Sequence, residues 1–301
     1  MIEIKRILCP IDFSEFSQRA VDHAVAIARW YDATVTLLYV RALVPIAPAV
    51  PEMLPAMALT PEDRDELSAA MTRFIPADAA VTIEREVVEG HAATEIVAHA
   101  TAQPSDLIVL GTHGRSGFER LLLGSVTERV LRKAPCPVLS VPRPVDNATP
   151  VTPQFKRILC AVDFSDCSMR ALDYAVSLAQ EADACLTVLH VFDLEGAMSE
   201  HWREKLTPPS LRKELETLEQ ERRERLDRAL PEGVSTYCDV ETVMTGGTPY
   251  REILRLAGEK QSELIVMGVH GRHAADLLFF GSTTNHVVRQ APCPVLTIRQ
   301  P

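Results

Sequence analysis

Asp106-Leu-Ile-Val-Leu-Gly-Thr-His-Gly-Arg115 is a short apolar run ending in two glycines, and Glu263-Leu-Ile-Val-Met-Gly-Val-His-Gly-Arg272 repeats it half a chain later. An apolar run of this length, closed by glycine, predicts a buried parallel strand. In both copies nine residues separate the second glycine, Gly114 or Gly271, from a Gly-Ser pair, Gly124-Ser125 or Gly281-Ser282. Glycine at a strand end allows close backbone approach and positive φ. A Gly-Ser pair opening a helical pattern can offer free N–H groups to an anion. The spacing therefore predicts a phosphate-bearing ligand at two equivalent sites.

Outward from these stretches the whole chain reads as a duplication. Lys5-Arg-Ile-Leu-Cys-Pro-Ile-Asp-Phe-Ser14 returns as Lys156-Arg-Ile-Leu-Cys-Ala-Val-Asp-Phe-Ser165, with eight of ten residues identical. Ala134-Pro-Cys-Pro-Val-Leu-Ser-Val141 returns as Ala291-Pro-Cys-Pro-Val-Leu-Thr-Ile298. The offset grows from 151 to 157 between these pairs, so the second half has gained six residues. A period this long marks duplicated domains, because solenoid repeats are much shorter. The expected division is a domain over 1–144, a proline-punctuated linker over 145–154 and a second domain over 155–301.

Strands are predicted at about 5–11, 33–40, 80–88, 106–111 and 137–141, with helices at about 15–30, 62–75, 91–102 and 125–133. The second half repeats the strands at about 156–162, 184–191, 237–244, 263–268 and 294–298. Alternating strands and helices imply right-handed βαβ units and a parallel sheet covered on both faces. The fold class is α/β: two tandem doubly wound, Rossmann-like domains, each with a five-stranded sheet. Leu211–Leu230 has helical leucine spacing with Arg and Glu between, which fits an amphipathic crossover helix. Val44–Pro61, rich in proline, fits a lid and a plain connection equally well.

Composition narrows the function. A net charge of -10 argues against a general nucleic-acid binder. It leaves a small nucleotide open, since amides at helix N-termini hold phosphate without basic residues. The seven cysteines show no CxxC pair and no zinc spacing, and read as buried, reduced thiols. The chain opens without a secretory h-region, and Arg41, Pro45 and Pro48 interrupt the apolar stretch around Thr36–Val50, so a cytoplasmic protein with no membrane span is expected.

Asp12 and Asp163 stand at the ends of the first strands, two residues before Ser14 and Ser165. The serines read as helix N-caps. Taken alone, the aspartates fit a turn or capping role as well as ligand contact. Ligands of open α/β sheets sit beyond the carboxyl ends of strands where strand order reverses. If the first and fourth strands are neighbours, Asp12 shares a crevice with Gly111, and Asp163 with Gly268. His113 and His270 read as loop residues beside that crevice, because no second histidine lies at metal-ligand spacing.

The stretch from Gly111 to Val138, together with Pro10-Ile-Asp-Phe-Ser14, resembles the signature of universal stress proteins, in their ATP-binding branch. Both halves carry the resemblance. It implies that Pro10, Asp12 and Val40 hold the adenine-ribose side. Gly111, Gly114 and Arg115 would line the ribose and phosphates, and Gly124, Ser125, Val126 and Thr127 would supply amides and hydroxyls to the phosphates. The matching residues of the second half are Asp163, Val191, Gly268, Gly271, Arg272, Gly281, Ser282, Thr283 and Thr284. The implied cofactor is ATP, with room for magnesium or manganese but no dedicated metal cage. The resemblance also implies that the halves pair as a pseudo-dimer through their final strands, and a homodimer of tandem chains is compatible with it.

The second half departs from the pattern at Ala161 for Pro10, His273-Ala274 for Ser116-Gly117, Phe279-Phe280 for Leu122-Leu123 and Leu277 for Arg120. Neither half has a GxxxxGK[ST] loop, an HxGH or SGGxDS pattern, or a second carboxylate placed to activate water. The expectation is a nucleotide-dependent regulatory protein with at most slow ATP hydrolysis. The alternatives are an ATP-consuming enzyme using Asp12 as base and a stress scaffold that works through its surfaces alone.

Overall fold

The computed structural model describes residues 2–42, 59–113, 123–143, 153–192, 209–236, 238–270 and 281–299, with backbone alone at 209–216, 218 and 219. The chain divides into two compact units, Glu3–Gln154 and Phe155–Gln300.

The first unit runs β1 (Arg6–Ile11), α1 (Glu15–Tyr31), β2 (Thr34–Ala42), α2 (Pro61–Met71), β3 (Ile83–Gly90), α3 (Ala92–Ala102), β4 (Leu107–Gly111), α4 (Ser125–Lys133) and β5 (Val138–Val141). Its strands stand in the order β3-β2-β1-β4-β5, every pair parallel. The order reverses at β1, so β1 and β4 are the central neighbours that the sequence requires. Right-handed crossovers place α1 and α2 on one face and α3 and α4 on the other.

The second unit repeats this plan with β6 (Arg157–Ala161), α5 (Asp166–Ala182), β7 (Cys185–Phe192), α6 (Pro209–Ala229), β8 (Asp239–Gly246), α7 (Pro249–Glu259), β9 (Leu264–Gly268), α8 (Ser282–Gln290) and β10 (Val295–Ile298). Its parallel order is β8-β7-β6-β9-β10. The crossover predicted around Leu211–Leu230 is α6, and Leu226 is buried on it.

Burial follows from the strand sequences. Ile7, Leu8 and Cys9 of β1 and Ile108 and Val109 of β4 are almost wholly enclosed, as expected where helices cover both faces. Their counterparts Ile158, Leu159, Cys160, Ile265 and Val266 are equally buried. Cys9 and Cys160 act as small apolar residues, and burial pushes both thiols far above the ordinary range. Cys185 breaks the expected pattern. It opens β7 at the sheet margin, is exposed, and donates its S–H to Asp239 Oδ2 at 2.9 Å.

Element boundaries at α2, β3 and β8 move from their predicted places, β8 running over Asp239–Gly246. α2 ends at Met71 and passes into a 3-10 turn over Thr72–Phe74, so the helical pattern to residue 75 is not one helix. β3 starts at Ile83 and runs to Gly90, where φ of +153° ends the strand in a conformation open to glycine. Most of the proline-rich stretch 44–61 lies outside the described residues. Its last residue, Pro61, opens α2 behind a Thr60–Asp63 capping box.

Candidate functional site at the strand ends

The site builds from the turn after β1. Ser14 caps α1 by accepting the Ser17 N–H at 3.3 Å. Asp12 Oδ1 accepts from Ser14 N–H at 3.0 Å, Ser14 Oγ at 2.5 Å and Ser17 Oγ at 2.7 Å. Ser17 Oγ in turn accepts the Asp12 N–H at 2.9 Å. The second half builds the same turn. Asp163 Oδ1 accepts from Ser165 N–H at 3.0 Å and Ser165 Oγ at 2.6 Å, and Ser168 Oγ accepts the Asp163 N–H at 3.2 Å. The Ser168 hydroxyl, however, donates to the Ser165 carbonyl at 2.9 Å where Ser17 donates to its aspartate.

This network holds Phe13 and Phe164 at φ of +62° and +63°, a region that costs a bulky residue free energy. The displaced rings are packed in compensation: Phe13 lies 4.7 Å from Tyr39 and 5.8 Å from Phe74, and Phe164 lies 4.5 Å from His190. The turn thus fixes each aspartate before any ligand arrives. Its serine partners at Ser17 and Ser168 were legible only by laying one half over the other at the offset of 151.

At the carboxyl ends of β4 and β9, the strands beside β1 and β6, stand Gly111 and Gly268. In the second half the β6–β9 register runs to Ala161↔Met267, which sets Gly268 beside the residue preceding Asp163. In the first half the β1–β4 ladder stops at Leu8↔Ile108. Pro10 sits two residues past that point, where its missing N–H interrupts no β1–β4 pair, whereas Ala161 pairs with Met267 in a longer ladder. Neither strand-end glycine has positive φ, contrary to one part of the sequence argument. Close packing demands them instead. A Cβ on Gly111 would lie 3.2 Å from the His113 carbonyl oxygen and 3.3 Å from Phe16 Cβ; one on Gly268 would lie 2.9 Å from Cys167 Cβ.

The third side is the start of α4 and of α8. Gly124 and Gly281 stand at the N-cap positions, and neither helix has a side-chain cap. Gly124 N–H donates to the Thr112 carbonyl at 2.8 Å, and Gly281 N–H to the Val269 carbonyl at 3.2 Å. The Glu128 and Asn285 amides return to the Gly124 and Gly281 carbonyls, both at 2.9 Å. Between them the amides of Ser125, Val126 and Thr127, and of Ser282, Thr283 and Thr284, have no partner among the described residues. Three unpaired N–H groups at the positive end of a helix are a favourable place for negative charge.

The threonine hydroxyls are committed elsewhere. Thr127 Oγ1 donates to the Gly111 carbonyl at 2.7 Å, and Thr284 Oγ1 to the Gly268 carbonyl at 3.0 Å. They tie each helix to its strand, while Ser125 and Ser282 are exposed. Val40 and Val191 lie near the ends of β2 and β7, both half-buried. Gly114, Arg115, Gly271 and Arg272 fall outside the described residues. His113 Nδ1 is 2.9 Å from Thr112 Oγ1, and His270 is buried. Among the described residues no three His, Cys, Asp or Glu side chains gather as metal ligands.

Sequence comparison gives this arrangement its family. Residues 3–142 and again residues 154–299 match the Universal stress protein family. The chain belongs to the universal stress protein family. It is a tandem member, since the family pattern occurs twice. A universal stress protein of Methanocaldococcus jannaschii is 40% identical over 142 residues, covering 46% of this chain and 83% of that protein. One from Mycolicibacterium smegmatis is 27% identical over 303 residues, covering 97% of this chain and 96% of the other. The crystal structure of a universal stress protein from Archaeoglobus fulgidus matches all of both chains with a TM-score of 0.68 at 24% identity, which shows the shared fold.

Another feature of this universal stress protein escaped the sequence argument. Gly90 and Gly247, at φ of +153° and +145°, each precede a glutamate five residues on, Glu95 or Glu252. A Cβ at Gly90 would stand 2.5 Å from Glu95 Oε1, and one at Gly247 would stand 3.2 Å from Glu252 Cγ. The repeated Gly-x4-Glu spacing was the available signal.

Proposed function

We propose that each half of this universal stress protein binds an adenine nucleotide, with ATP as ligand, and that the chain is a nucleotide-dependent regulator with at most slow hydrolysis. The observation that carries this reading is the pair of uncapped helix starts beside a pre-ordered aspartate at the strand-order reversal. Phosphates would take the amides of Ser125–Thr127 and Ser282–Thr284. Asp12 and Asp163 would accept from ribose hydroxyls, with Val40 and Val191 on the base side. Gly114, Arg115, Gly271 and Arg272 enter from the family signature. Magnesium or manganese would travel with the triphosphate and neutralise part of its charge.

The enzyme alternative asks Asp12 to act as a base. Its Oδ1 already accepts three hydrogen bonds from Ser14 and Ser17, so that oxygen is committed to the turn after β1 rather than presented to a water. That supports binding over turnover. A cytoplasmic setting follows from the same reading, and no helix among the described residues is long and apolar enough to cross a membrane.

Mass spectrometry of small molecules released on denaturing the purified protein tests the assignment. Released ATP is the expected result. ADP or AMP alone would favour the enzyme, and no nucleotide would favour the scaffold. Steady-state phosphate release with magnesium or manganese should fall far below the ~1 per second of a dedicated ATPase. Rapid release that vanishes in Asp12→Asn would overturn the regulatory reading.

A further inference from the structure

Arg143 follows β5 and is exposed, and its guanidinium carbon lies 5.5 Å from the centroid of the Phe16 ring. It forms no ion pair with a described residue. The backbone beneath it is pinned, because Arg19 Nη1 donates to the Pro142 carbonyl at 3.0 Å. A charged arm fixed at its base and laid on an aromatic face has lost part of its freedom before it meets a ligand.

Its surroundings are those of the proposed site. Phe16 Cβ stands 3.3 Å from where a Cβ on Gly111 would lie, and the Phe16 ring is 6.3 Å from that of His113. Thr112 N–H donates to the Val141 carbonyl at 2.9 Å, and Gly124 N–H to the Thr112 carbonyl at 2.8 Å. Two hydrogen-bonded steps thus lead from the end of β5 to the residue before the open amides of α4. Arg143 is two residues past Val141, at the same edge of the sheet.

We propose that Arg143 is a phosphate-binding arm of the first cleft, which biases that site toward nucleoside triphosphates over monophosphates. The proposal rests on the nucleotide reading above. Near the helix the amides take one phosphate group. Arg143 lies against Phe16 of α1 whereas the open amides begin α4, so this cation gains only from a ligand long enough to carry negative charge to it.

The second half lacks this arm in its sequence. Gln300 occupies the matching position at the offset of 157, and Cys167 replaces Phe16 at the offset of 151. Arg299, one residue earlier, is half-buried beside Cys167, and desolvation lowers its pKa. Its own carbonyl takes the Arg170 bond at 2.6 Å that parallels the Arg19 clamp.

The test is calorimetric titration with ATP and with AMP of the full chain carrying Gly281→Val, which sets a side chain against the Val269 carbonyl and closes the second site. Adding Arg143→Gln should weaken ATP about tenfold, the effect of one exposed charge-assisted bond, and leave AMP within about twofold. Arg143→Lys should keep most of the ATP affinity, because the charge remains. Equal ATP-to-AMP ratios with and without Arg143→Gln would overturn the arm while the nucleotide reading stands. Failure of the unmutated protein to bind either nucleotide would overturn both. If the Gly281→Val chain does not fold, Arg143→Gln alone should weaken ATP at one of two sites, and loss at neither would refute the arm.

Discussion

Gly268→Ala is expected to destabilise the second unit by about 1–3 kcal/mol, the usual cost of overpacking a tight contact. The added Cβ would lie 2.9 Å from Cys167 Cβ and 3.0 Å from both Cys167 C and Ser168 N. Two of those three atoms are backbone in the first turn of α5, so no flexible side chain can yield. Moving that turn disturbs Ser165 and Ser168, which orient Asp163. Nucleotide affinity of the second site should fall with stability. Gly111→Ala is the comparison, because its closest contacts are 3.2 and 3.3 Å and one is the Phe16 Cβ. Denaturant unfolding of both variants, with ATP titration, measures the difference. Equal losses in the two variants would show that the closer approach at Gly268 has no energetic meaning.

Acid is expected to weaken the first unit through one histidine. His23 is buried on α1, its Nδ1 2.7 Å from the Arg19 carbonyl, and burial lowers its pKa to about 4. Bonding to a carbonyl requires Nδ1 to carry the proton of the neutral ring. The unfolded chain titrates near the ordinary value of about 6.5, so between there and 4 the unfolded state binds more protons than the folded one. Stability therefore rises with pH across that window and is fully present above it. The loss relative to pH 8 should reach about 2 kcal/mol at pH 5 and about 3 kcal/mol at pH 4. Tyr174 fills the matching, buried position in the second half, which makes His23→Tyr the natural control. Urea midpoints measured from pH 8 to 5 should flatten in that variant. An unchanged pH slope would remove His23 as the cause.

The sheet was legible because its central strands are buried on both faces and occur twice. Ile7-Leu8-Cys9 and Ile158-Leu159-Cys160 leave little room for another assignment, and the glycines after Leu110 and Met267 mark where each fourth strand stops. The open amides of α4 and α8 could also be anticipated, since a Gly-Ser start supplies no obvious side-chain cap at the glycine. Local backbone sign was not legible. Nothing in the propensity of phenylalanine announces φ of +62° at Phe13, because the conformation is imposed by the hydrogen bonds of Asp12 with Ser14 and Ser17. The glycines of the strand ends misled in the opposite sense. They suggested positive φ, while Gly111 and Gly268 are required by the helices packed against them. Arg143 was invisible for a related reason: its meaning depends on Phe16, which is far away in sequence and adjacent only once α1 lies beside the end of β5.

Nucleotide stoichiometry tests the central claim most directly. Calorimetric titration of the full chain with ATP should give two sites per chain. Gly114→Val and Gly271→Val, which place a side chain where the family signature brings the backbone near the phosphates, should each reduce that number to one. Two sites persisting in both variants, or none in the unmutated protein, would contradict the account.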